Sequence, residues 1–263
     1  MALTRARDVA KIALTRYPRL YEATRRPYAL GRFVLRQPHD PDYAVFGLFP
    51  RGTGVFLDVG ANAGMSALSF RIYNRHLPIV SIEPNPFHEA DLRFVSRLAK
   101  PHTYRLWAAG ESVGTLDLYV PIYRGVPLTT EASLIRTEVT ESPYLRRRLG
   151  AGMDGPDFAV EACSVPVRPL DEMQLRAAFV KLDVQGAELA ALRGLTQTLQ
   201  QSRPVVLLET PREPEVLLLT RYGYSGYHYD RSRHLLMPGL GHSSNTVFVH
   251  DADPHLSIVR HAA

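Results

Sequence analysis

The run Val55-Phe56-Leu57-Asp58-Val59, followed by Gly60-Ala61-Asn62-Ala63-Gly64, constrains this chain more than any other segment. Apolar residues at nearly every position describe a strand covered on both faces, as in a parallel sheet, rather than one with a wet side. Gly60 and Gly64 then permit a tight turn in which the backbone can approach a ligand before a helix begins. About twenty residues on, Ile79-Val80-Ser81-Ile82-Glu83 repeats the pattern of an apolar run ending in a carboxylate. Strand, helix and strand at this spacing make a nucleotide-binding corner in which Glu83 can hold a ribose diol.

The glycine spacing separates cofactor classes. A dinucleotide fingerprint G-x-G-x-x-G starting at Gly60 needs glycines where the chain has Asn62 and Met65, which counts against an NAD-binding Rossmann enzyme. The pattern that fits is acid-x-Gly-x-Asn-x-Gly, here Asp58, Gly60, Asn62 and Gly64, and it resembles motif I of the class I S-adenosylmethionine-dependent methyltransferases. A sulfonium cofactor has no pyrophosphate to seat on a helix N-terminus, so Asp58 is tolerable there and can face the amino acid moiety. Asp58 is equally a residue type that caps a following turn.

Three further motifs narrow the resemblance. Ile82-Glu83-Pro84-Asn85-Pro86, Val180-Lys181-Leu182-Asp183-Val184-Gln185-Gly186-Ala187-Glu188 with Leu192-Arg193-Gly194, and Leu207-Leu208-Glu209, taken with the first, resemble the FkbM-type methyltransferases from about Phe46 to Val249. That family more often has Glu where this chain has Gln185. The resemblance implies an α/β fold: a Rossmann-like class I methyltransferase sheet, mostly parallel with an antiparallel closing strand, and helices on both faces. It implies S-adenosylmethionine as cofactor and, as acceptor, a hydroxyl of a sugar, glycolipid or polyketide-like small molecule. By the same resemblance Gly60, Asn62 and Gly64 line the methionine part, Glu83 takes the ribose hydroxyls, and Asn85 and Ala108 lie close to the adenine. Pro84-Asn85-Pro86 also reads as a turn in which Asn bonds its own backbone.

Composition agrees with one catalytic domain. At 263 residues and 45% hydrophobic content the chain can bury a sizeable core. No apolar run approaches the roughly 20 residues that span a bilayer. A lone Cys163 excludes an internal disulfide framework and suits a reducing, cytoplasmic setting. The net charge of +5 invites an RNA or protein acceptor. Its arginines, however, gather near the start of the chain and at Arg146-Arg147-Arg148, without a recognisable RNA module. Val9, Ile12, Ala13, Tyr17 and Leu20 make an apolar stripe opposite basic residues, which suits a helix packed on the domain edge or, less readily, a peripheral membrane contact. The Arg-rich, acid-poor start also has the composition of a transit peptide, interrupted by Pro18 and Pro27.

Residues 1–50 read as a helical preamble and 51–263 as the methyltransferase domain. Alternation continues through a helix from Gly64 to about Asn74, a helix over Phe87 to Ala99, a strand near Tyr104 to Ala108 and an extra strand from Thr115 to Val120. Pro121 to about Pro156 has few periodic apolar positions and reads as an insertion shaping the acceptor pocket. Phe158 to Val167 is extended, Phe179 to Val184 is a strand, Ala187 to Gln201 its helix, and Val205 to Thr210 the next strand. Gly223 to Asp230 and Asn245 to His250 read as the antiparallel pair that closes the sheet.

Methyl transfer to an alcohol needs an oriented acceptor oxygen and removal of its proton. Asp183 at a strand end is the first candidate base, with Glu209 and His39 behind it. Asp183 is alternatively an N-cap for the helix opening near Ala187, and Glu188 a favourable first-turn charge. A rival arrangement uses Asp183, Glu188 and Glu209 as oxygen ligands for Mg²⁺. His228, His234, His242 and His255 are scattered without zinc-like spacing.

Overall fold

The computed structural model describes residues 17–240 and 245–256. Val9, Ile12 and Ala13 of the apolar stripe and His242 lie outside the described residues. The first described helix, α1, spans Pro18–Val34. It contains both Pro18 and Pro27. Pro18 occupies the first turn, where its missing N–H costs nothing, and Pro27 is accommodated on the exposed side.

The Rossmann-like alternation then follows: β1 (Val55–Val59), α2 (Met65–Tyr73), β2 (Ile79–Ile82), α3 (Glu89–Leu98) and β3 (His102–Arg105). Next come β4 (Ala108–Ala109), β5 (Gly114–Tyr123), β6 (Val126–Pro127), the short helices α4 (Arg136–Thr140) and α5 (Pro143–Leu149), and β7 (Phe158–Arg168). The chain re-enters the main sheet with β8 (Ala177–Leu182), α6 (Glu188–Arg193), α7 (Thr196–Gln201), β9 (Val205–Glu209), α8 (Glu213–Arg221), β10 (Tyr224–Asp230), β11 (Leu235–Pro238) and β12 (Asn245–His250). The eight-stranded sheet runs β11-β10-β12-β9-β8-β1-β2-β3, parallel from β9 to β3 and antiparallel beyond it. A second sheet, β4-β7-β5-β6, lies apart from it.

Several boundaries differ from the sequence reading. The strand expected over Tyr104 to Ala108 is divided between the two sheets, β3 pairing with β2 while Ala108 pairs with Val167. The helix expected over Ala187 to Gln201 breaks at Gly194, which sits so close to the Gly110 carbonyl that a Cβ would lie 2.0 Å from its oxygen. The closing pair gains a third strand, β11, hairpinned onto β10.

Alternate residues of the central strands separate two cores. Phe56 and Phe179 meet Phe46 and Phe70 on one face, while Leu57, Val59, Val180 and Leu182 pack on the other. Phe56 stacks on Phe70 at 4.0 Å between centroids. Phe46, from the short helix Pro41–Leu48, sets its ring edge-on at 5.3–5.4 Å from Phe56, Phe70 and Phe179, so this part of the preamble completes the core.

The order of strands reverses between β1 and β8: the chain leaves β1 toward β3 and returns on the other side. Their carboxyl ends therefore sit side by side, and the Asp183 amide donates to the Val59 carbonyl at 3.2 Å. Ligands of open α/β sheets bind at such a point.

Candidate active site

Two cavities open there, and Asp183 lines both. The larger, about 770 Å³, is floored by Gly60, Asn62, Glu83 and Asn85 at the ends of β1 and β2. Ala108, Leu116 and Leu118 of the second sheet form one wall. The smaller, about 340 Å³, is bounded by His39 and Tyr43 of the preamble, Asp183, Glu209 and Asn245.

Glycine is obligatory at position 60. With φ +76°, a Cβ there would lie 1.8 Å from the Asp183 carbonyl oxygen. Asn62 also adopts a left-handed conformation, φ +50°, which Asn tolerates better than most residues. That twist aims its amide at Glu83: the Asn62 N–H donates to one carboxylate oxygen at 2.7 Å and the Asn85 N–H to the other at 2.9 Å. Burial raises Glu83 to about 7, against the lowering effect of these two amides. A nearly buried carboxylate held by main-chain amides retains lone pairs for hydroxyl donors, which is what a ribose diol offers. Asn85 forms the turn read for it, its Oδ1 accepting from Phe87 N–H at 3.1 Å, while its Nδ2 donates to the Thr129 carbonyl at 3.5 Å.

Two expected cofactor residues do not line either cavity. Asp58 is fully buried because strand alternation turns it under α2; its Oδ2 accepts from Ser66 at 2.6 Å and Ser81 at 3.0 Å. Gly64, φ +80°, caps the start of α2 and packs on Val95, whose side chain would lie 2.9 Å from an added Cβ. The stretch expected at Pro121 to Pro156 to shape the acceptor pocket contributes Thr129 to Ile135, Glu138 and Ser142 to the Glu83 cavity and nothing to the smaller one.

Lys181 organises the junction. Register places it opposite Asp58 on the neighbouring strand, and its Nζ lies 3.8 Å from Asp58 and 3.5 Å from Asp183. It donates to the Gly60 carbonyl at 2.6 Å and the Val59 carbonyl at 3.3 Å. The sequence reading noted this residue only as part of a motif. A lysine inside the fully buried strand β8 is itself a signal, since such a charge must be paired.

The three candidate bases converge on the smaller cavity. Glu209 ends β9 beside Asp183, and burial together with the Asp183 charge raises its pKa. His39 Nδ1 lies 2.7 Å from Ser69 Oγ, and burial, aided by Lys181, lowers the ring to about 4, so it is neutral at physiological pH. Asn245, whose amide bonds Asp40 at 2.6 Å and Asp42 at 3.0 Å, completes the wall.

Of the three carboxylates in the Mg²⁺ arrangement, Asp183 and Glu209 come together in the smaller cavity. Among the described residues no group of three or more His, Cys, Asp or Glu side chains is placed to hold an ion. Glu188, the third, turns back onto its own helix start and accepts from the Val184 and Gly186 amides at 2.9–3.1 Å.

No described helix is long and apolar enough to cross a membrane. No curated protein matches the sequence. Among solved structures, FkbM methyltransferase from Methylobacillus flagellatus KT is similar at 18% identity and TM-score 0.47, over 80% of this chain and 50% of that one. The chain thus spans half the length of that protein. Precorrin-6y C5,15-methyltransferase from Geobacter metallireducens GS-15 is similar at 12% identity and TM-score 0.38, over 80% of this chain and 84% of that one. The sequence profile of the Methyltransferase FkbM domain matches residues 58–225, which run from Asp58 through Glu83, Lys181 and Glu209 and make up more than half of the 263 residues. The chain belongs to the FkbM methyltransferase family.

Proposed function

We propose that this chain is an S-adenosylmethionine-dependent O-methyltransferase whose acceptor is a hydroxyl of a sugar, glycolipid or polyketide-like small molecule. The observation that carries the reading is that a cavity floored by Gly60 and Glu83 meets a second, polar cavity at the side chain of Asp183. Bound S-adenosylmethionine supplies an electrophilic methyl carbon. Glu83 accepts from the ribose hydroxyls, and Gly60 and Asn62 lie along the methionine portion. Ala108 lies at the adenine end, with Asn85 beside it.

The smaller cavity has room for about one sugar ring and offers His39, Asp40, Tyr43, Glu209 and Asn245 as hydrogen-bonding groups. Asp183 accepts the hydroxyl proton as the oxygen lone pair forms the new bond to the methyl carbon. The carbon–sulfur electron pair leaves with sulfur, so a neutral thioether departs. Lys181, 3.5 Å from Asp183, holds that carboxylate at the junction. Glu209, neighbouring Asp183 and with a raised pKa, can share the transferred proton.

Asp183→Asn keeps the shape and removes the base. Methyl transfer from labelled S-adenosylmethionine to a panel of sugars and glycosides, assayed below acceptor saturation, should fall by about 10²–10⁴-fold. Cofactor affinity by calorimetry should change little. A fully active variant would move the proton acceptor to Glu209 or His39.

A further inference from the structure

Helix α1 leaves most of its large apolar side chains in solvent. Successive residues turn by about 100° around a helix, which sorts this one into two faces. The face toward the protein carries Ala29, which is buried, Phe33, which packs against the core, and the half-buried Arg25 and Arg32. The opposite face holds Leu20, Tyr28, Leu30 and Val34, with Tyr17 and Leu35 continuing it at the two ends. All six are exposed, Val34 at 68% and Leu35 at 67%.

The inward charges are used. Arg25 pairs with Glu22 and with Asp91 of α3, each at 3.0 Å, and Arg26 pairs with Asp91 at 3.0 Å. Arg32 donates to the Pro38 carbonyl, and Arg36 to the Ile72 carbonyl at 3.0 Å. A surface helix ordinarily puts its apolar stripe against the core and its charges in water. Here the ion pairs fasten the helix to the protein and leave an uncharged stripe outside, the kind of exposed apolar patch that marks an interaction surface.

Charge identifies what covers it. Residues 1–36 contain nine Lys and Arg side chains against two acidic ones, Asp8 and Glu22. The whole chain is only +5, so the remainder is slightly acidic. A second copy docked on the same face would bring two strongly cationic segments together without acidic partners. An anionic bilayer meets both requirements, since acyl chains take the apolar side chains and headgroups attract the exposed Arg19 and the basic residues that precede it in sequence, Arg5, Arg7, Lys11 and Arg16. We infer that α1 is a peripheral membrane-docking helix, lying along an anionic lipid surface through Leu20, Tyr28, Leu30 and Val34. This inference stands independently of the acceptor assignment.

Co-sedimentation of the full chain with vesicles tests it. Vesicles of phosphatidylcholine mixed equally with phosphatidylglycerol should bind the protein at least about tenfold more tightly than phosphatidylcholine alone, with the advantage shrinking as salt is raised. Leu20→Asp with Val34→Asp should cut binding by about tenfold or more without shifting the melting temperature, because both side chains lie in solvent. Failure of the wild type to bind anionic vesicles would overturn the proposal. So would binding that survives the double substitution. A dimer in sedimentation velocity that the same pair abolishes would assign the face to a second copy instead.

Discussion

Lys181 donates to the carbonyl of Gly60 at 2.6 Å, so a single ammonium ties the glycine turn after β1 to the strand that leads into Asp183. The same group lies 3.8 Å from the buried Asp58. Removing it should therefore disturb folding and both cavities together. Lys181→Met leaves Asp58 buried without its cation and should cost about 3–5 kcal/mol in denaturant unfolding. The double variant with Asp58→Asn should recover part of that loss. Strict additivity in the double-mutant cycle would show that the pair is not coupled.

Glu83 predicts the pH dependence of cofactor binding. Folded Glu83 keeps its proton up to about 7, against an ordinary value of 4.5. Its contribution to the stability of the free protein is thus full below about 4.5 and is lost as pH rises through about 7. A diol bonds the ionised form, so S-adenosylmethionine affinity should rise as pH increases toward 7, with proton release visible by calorimetry in buffers of different ionisation enthalpy. Glu83→Gln should weaken binding by about 1–3 kcal/mol and remove this component of the pH dependence. An unchanged profile would take Glu83 out of the ribose site.

The pH profile of turnover bears on the base. His39, lowered to about 4, is already neutral near pH 6 and cannot supply an acidic limb there. Burial and the neighbouring Asp183 charge raise Glu209, so an acidic limb displaced above the usual carboxylate range belongs to Glu209. Glu209→Gln should shift the limb in kcat, and His39→Ala should leave its position in place.

On the proposed reading of the Glu83 cavity, the insertion that lines it contributes to cofactor binding. The Asn85 amide faces the Thr129 carbonyl, and Glu131, another residue of this cavity, is held by the buried Arg148 at 3.0 Å. Replacing residues 129–135 by a Gly-Ser linker of equal length should weaken S-adenosylmethionine binding about tenfold or more. A folded variant with intact cofactor affinity and an altered acceptor profile would reverse that assignment.

Phe46→Ala should destabilise the chain by about 3–5 kcal/mol, although Phe46 lies outside the strand-and-helix repeat. Its ring fills the space among Phe56, Phe70 and Phe179. Thermal or denaturant unfolding reads the loss directly, and a change below about 1 kcal/mol would mean that the core closes over the gap.

Local patterns determined what local physics controls. An apolar run at Val55 to Val59 can only be a covered strand. Gly60 and Gly64 announce a tight turn, and both adopt positive φ, while Glu83 marks a strand end that carries a carboxylate. The spacing of those marks sufficed for the alternating α/β fold and for most of the cavity floor. Tertiary structure decided whatever depends on which strands become neighbours. Asp58 looked like a ligand residue until register set it beside Lys181 and alternation turned it under α2. His39, Asp183 and Glu209 stand far apart in the chain and share a cavity only because β8 and β9 are adjacent and the preamble folds back over them. The break at Gly194 likewise answers to a single carbonyl from a distant loop. Burial and pairing across the sheet are long-range terms, and a periodicity read along the chain contains the face of each residue but not its partner across the strand.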